Sequence, residues 1–119
     1  MRVTRSTRVA MIVAALLCGC GDSAQVSRSV GARCDRNDEC DGRCLRGPDY
    51  PDGFCTVSCD DSGGCPGSSR CVAIEGGVCL FECVDTIDCE FLGTGWSCTD
   101  QEPLPPDPDM QDVAVCRGD

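Results

Sequence analysis

Cysteine recurs in this chain at two fixed intervals, and no other feature limits the fold as tightly. From Cys34 the gaps run five, three and ten residues, then five, five and seven, then five, eight and seventeen. Three residues join each group of four to the next. The groups are Cys34, Cys40, Cys44 and Cys55; Cys59, Cys65, Cys71 and Cys79; and Cys83, Cys89, Cys98 and Cys116. Constant gaps mark a packed, bridged frame, and variable gaps mark surface loops that tolerate insertion. The expected fold is small and disulfide-rich, mostly loops with short β-hairpins. It is divided into three tandem four-cysteine units at about 34–58, 59–82 and 83–116.

Composition agrees with such a frame. Fourteen of 119 residues are cysteine, against one Trp, one Tyr and three Phe. So few large apolar side chains make a thin core, and bridges must supply much of the stability. Gly53 and Gly77 each stand two residues before a fourth cysteine, where the third unit has Ala114. Gly42, Gly67 and Gly95 stand ahead of the third cysteines. Asp52-Gly53 and Gly76-Gly77 are hairpin-turn signals. Strands are predicted at Gly53–Val57, Arg70–Ile74 and Gly77–Phe81, with a helical turn within Val84–Phe91. Phe54, Phe81, Phe91 and Trp96 are expected to pack against the bridges.

The chain begins as an export signal. Arg2, Arg5 and Arg8 precede nine apolar residues, Val9 to Leu17. A positive start followed by an apolar run of this length is the pattern of a secretory signal, too short to span a bilayer as a helix. Leu17-Cys18-Gly19-Cys20 then resembles the lipobox of bacterial lipoproteins. In that family Leu stands three residues before the modified cysteine and a small residue stands just before it. Cys18 departs from the usual Ala or Ser. The resemblance implies cleavage of residues 1–19 and lipidation of Cys20, hence a bacterial cell-envelope protein anchored in a membrane. Gly21 in place of Asp after Cys20 points to the outer membrane. Removal of Cys18 and acylation of Cys20 leave twelve cysteines, an even number with no spare thiol. Ordinary cleavage nearby without a lipid is the alternative. Residues 20–33 follow as lipidated cysteine and flexible tether, small and polar from Gly21 to Arg33, and 34–119 form the cysteine-rich domain.

Twelve cysteines allow about ten thousand pairings, and sequence alone does not choose among them. The spacing from Cys34 to Cys116 is similar to that of epidermal-growth-factor-like modules and of the cysteine-rich N-terminal region of Dickkopf proteins. That resemblance implies small β-hairpin modules without enzymatic activity, bridged first to third and second to fourth. The implied pairs are Cys34–Cys44, Cys40–Cys55, Cys59–Cys71, Cys65–Cys79, Cys83–Cys98 and Cys89–Cys116.

The residue inventory removes several chemistries. Without histidine or lysine there is no Ser-His-Asp or Cys-His arrangement, no phosphate-loop lysine and no Schiff base. No C-x₂-C hook suggests structural zinc. Beyond Cys20, seven arginines face twenty acids, a balance that disfavours nucleic acid and anionic membrane surfaces as partners. No cofactor is expected. Asp107, Asp109 and Asp112 form a weak calcium candidate, as does the cluster Asp35, Asp38 and Glu39; neither has the full EF-hand pattern, and solvated loop carboxylates are the plainer reading. The insert Thr99–Val115, with four prolines between Pro103 and Pro108, reads either as a solvated loop shut by Cys98 and Cys116 or as a peptide-like docking segment. The expected function is non-enzymatic: a surface-binding or structural module whose partner is an extracellular protein or glycan. The alternative is a protease inhibitor that presents the loop Arg46–Phe54 or the proline-rich loop.

Overall fold

The five-residue gap and the hairpin behind it explain each unit. The computed structural model describes residues 26–106, 108, 109 and 111–118; the expected signal segment, with Cys18 and Cys20, lies outside the described residues. Six strands form three antiparallel two-stranded hairpins: β1 (Arg43–Leu45) with β2 (Phe54–Thr56), β3 (Ser69–Val72) with β4 (Val78–Phe81), and β5 (Trp96–Gln101) with β6 (Val113–Gly118). In every hairpin the third and fourth cysteines are direct cross-strand partners: Cys44 opposite Cys55, Cys71 opposite Cys79, Cys98 opposite Cys116. Partners of this kind project from one face of the hairpin. The first and second cysteines flank a short 3-10 turn, Asn37–Glu39 in the first unit and Ser62–Gly64 in the second; in the third, Thr86–Leu92 runs on past Cys89. Bridges Cys34–Cys44 and Cys40–Cys55, Cys59–Cys71 and Cys65–Cys79, and Cys83–Cys98 and Cys89–Cys116 pin each turn to its hairpin.

The constant gap has a capping chemistry. Glu39 Oε1 accepts from the backbone N–H of Asp35 at 2.7 Å and of Arg36 at 3.4 Å. Asp88 Oδ2 does the same for Val84 at 2.8 Å and Asp85 at 3.0 Å. Each carboxylate stands just before a second cysteine and satisfies amides that the turn leaves open. Gly64 holds that place in the second unit, and there Asp61 Oδ1 caps instead, accepting from Gly63 N–H at 2.8 Å.

The three-residue joint lays one unit against the next. Ser58 bridges Val78, and Cys59 N–H donates to Gly77 O at 3.1 Å. One unit further on, Glu82 bridges Val115 and Cys83 N–H donates to Ala114 O, again at 3.1 Å. The seat is tight where glycine occupies it. Gly53 has φ +84° and Gly77 φ +105°, and a Cβ on either would collide with the carbonyl oxygen of the first cysteine of its own unit, Cys34 or Cys59.

Residues Val26–Arg33, expected as tether, are instead part of the folded body. Gly31 N–H donates to Cys55 O at 2.9 Å, Cys55 N–H donates to Ala32 O at 2.8 Å, and Val30 is buried. The stretch looks polar because only Val26 and Val30 need to be apolar. Its backbone caps the exposed side of the first hairpin as the end of a preceding unit would.

The aromatic residues Phe54, Phe81 and Trp96 share one core with the bridge cysteines Cys59, Cys71, Cys79, Cys89 and Cys116, and they also meet one another across units. Phe54 packs edge-on to Phe81 at 6.0 Å and against Trp96 at 5.3 Å, and Trp96 lies 6.5 Å from Tyr50. The core is therefore shared by all three units. The last unit also touches the first: Gly118 N–H donates to Asp49 O at 2.6 Å, and Arg117 pairs with Asp49 at 3.0 Å while lying over the Tyr50 ring.

Candidate functional site

The described cysteines leave no thiol for chemistry. Within each unit three sulfurs converge to 4.8 Å, as at Cys34, Cys40 and Cys44. Every one belongs to a disulfide, so none offers the thiolate that zinc requires.

The acidic candidates separate. In the first cluster Glu39 is committed to two backbone amides, and Asp38 pairs with Arg36 at 3.1 Å. Those amide bonds hold the Glu39 carboxyl below its ordinary range, and the corresponding bonds to Asp85 and Val84 do so for Asp88. Asp107 lies outside the described residues. Asp112 lines an open concavity of about 650 Å³ with Asp100, Glu102, Pro103, Pro106 and Pro108. Among the described residues no three carboxylates draw together within the distance that the bridged sulfurs reach.

Each presenting segment is tied to the body over part of its length. In the loop Arg46–Phe54, Tyr50 is 2 % exposed and Asp49 is held by Arg117 and Gly118; only Arg46, Gly47 and Pro48 form a continuous exposed stretch before it. Burial pushes the Tyr50 phenol above 10.0, with the Arg117 guanidinium opposing it. The proline-rich loop is stitched to β3: Pro103 bridges Val72, Ala73 N–H donates to Glu102 O at 2.9 Å, and Leu104 N–H donates to Cys71 O at 3.0 Å. One bridge and two backbone bonds thus hold Glu102–Leu104 to the edge of the second hairpin, while Pro105, Pro106, Pro108, Asp109, Gln111 and Asp112 are exposed.

No family model, curated protein or solved structure matches this chain. The site therefore has to be read from its own chemistry.

One surface stands apart. Among the described residues Val84, Ile87 and Phe91 are the exposed large apolar side chains, at 85 %, 71 % and 43 %. They fall within eight residues on the third unit's 3-10 segment and its approach. Sequence reasoning missed Val84 and Ile87 because acids alternate with them through Asp85, Asp88 and Glu90. It gave Phe91 to the bridges, whereas Phe91 leans on Phe81 at 5.4 Å with its outer side open. No helix among the described residues is long and apolar enough to cross a membrane.

Proposed function

We propose that this chain is an envelope lipoprotein, anchored through Cys20, whose bridged body works by binding or as structure rather than by catalysis. The observation that carries the reading is the closed interior. Six bridges and the shared aromatic cluster occupy it. All twelve described cysteines are paired, and histidine and lysine are missing from the sequence, so the usual nucleophile–base pairs have no members here. A rigid body of this kind suits a surface that meets an extracellular protein or glycan, because a preorganised face loses little entropy on binding.

The decisive experiment is intact mass of the mature protein, before and after reduction, with alkylation to count thiols. A diacyl or triacyl group on Cys20, with twelve cysteines alkylated only after reduction, supports the proposal. A mature chain without acyl groups overturns the anchoring, and free thiols with bound metal overturn the bridged, non-catalytic body. The exposed stretch Arg46–Pro48 keeps protease inhibition as a second reading. Inhibition that survives heating and is lost on reduction would put that reading first.

A further inference from the structure

We propose that Val84, Ile87 and Phe91 form a membrane-facing surface that lies against zwitterionic lipid and orients the body on the bilayer. The inference rests on the anchoring through Cys20. Its first support is concentration: the exposed large apolar residues among those described are gathered in one short segment. An apolar cluster exposed on an otherwise acidic surface marks a contact region.

Its second support is where the chain enters the body. Val26 is the first described residue, six positions beyond Cys20. Six extended residues reach about 20 Å at most. Val26 packs into the core beside Gly31, and a Cβ on Gly31 would sit 3.4 Å from Val26 Cα and 2.7 Å from the Phe81 ring. Phe81 in turn contacts Phe91. The entry point and the apolar surface therefore both adjoin Phe81, and an acyl anchor at Cys20 would hold this region within about 20 Å of the bilayer. Of the other exposed positions between Val84 and Phe91, Asp85, Asp88 and Glu90 are acidic, Thr86 is neutral and none is basic, so the complementary lipid is zwitterionic rather than anionic. Asp88, committed to two amides, stays at headgroup level while the apolar side chains enter the boundary with the acyl region.

The test uses the lipidated full chain carrying Ile87→Trp, reconstituted into phosphatidylcholine vesicles with brominated acyl chains. Native Trp96 is buried and supplies a constant background. The added indole is expected to shift to the blue and lose at least half its emission relative to unbrominated vesicles. Val84→Trp gives an independent report of the same surface. A chain whose acylation is verified by mass but whose added indoles remain unquenched overturns the surface and leaves the anchor standing. A blue shift without vesicles, accompanied by a dimer mass, overturns it in favour of a second copy as the occupant. Lack of acylation on Cys20 removes the tether and overturns anchor and surface together.

Discussion

The hydroxyl of Thr56 does for Cys79 what a neighbouring strand does elsewhere. Thr56 Oγ1 donates to Cys79 O at 2.7 Å and accepts from Cys79 N–H at 3.0 Å, with both residues fully buried. Thr56 stands three residues before the first cysteine of its neighbour, as Gly31 does before Cys34, and Gly31 uses its backbone for the equivalent bond to Cys55. The Thr56 backbone is already paired with Arg43, so the side chain takes over. Thr56→Val keeps the shape and leaves a buried N–H and C=O unpaired, at a cost of about 1–3 kcal/mol. Guanidinium unfolding should show that loss, with Thr56→Ser retaining most of the stability.

Gly53 and Gly76 separate conformational strain from collision. Both have positive φ, but only at Gly53 does a Cβ meet backbone, the carbonyl of Cys34. Gly76→Ala should cost about 1 kcal/mol from the left-handed conformation alone. Gly53→Ala should derail oxidative refolding of the first unit, seen as a lower yield of Cys34–Cys44 and Cys40–Cys55 in a disulfide-mapping digest.

The sole tyrosine reports on the contact between first and last units. Burial raises the Tyr50 phenol above its ordinary 10.0. A raised folded value means a stabilising contribution fully present below pH 10 and lost as pH rises through the folded value. Phenolate absorbance of the native protein should therefore titrate later than that of the unfolded chain. Tyr50→Phe should remove this alkaline dependence.

The acid side belongs to Glu39 and Asp88. Their carboxyls are held below the ordinary range by backbone amides, so their contribution is present above about pH 4 and is lost as pH falls through the folded values. Glu39→Gln with Asp88→Asn should flatten the acid limb of stability against pH and leave the neutral plateau lower. Denaturation midpoints across the acid range test this.

The cysteine spacing made the units legible, and the bridges in the structure are the pairs that the module resemblance implied. Phe54–Thr56 and Val78–Phe81 lie inside predicted strands, and β3 begins one residue before its prediction. β1 was not seen because Arg43-Cys44-Leu45 is too short to show alternation. β6 was hidden behind the prolines, with Ala114 where the other units carry glycine. The stitching of Glu102 and Leu104 to β3 left no sign because its bonds are made by backbone. The meeting of Asp49 with Arg117 spans 68 positions, and no local pattern encodes such a distance. The apolar surface at Val84, Ile87 and Phe91 went unnoticed for a related reason: exposure is a property of what the rest of the chain covers.

The contact of Gly118 with Asp49 sets this protein apart from open repeat arrays. In a solenoid each end can accept another copy, so the number of repeats drifts by duplication. Here the tail of the last unit rests on the loop of the first, and Val26–Ala32 already occupies the seat that an added unit would need at the front. The three described units are thus closed on one another through Gly118, Arg117 and the shared core, and should melt as one.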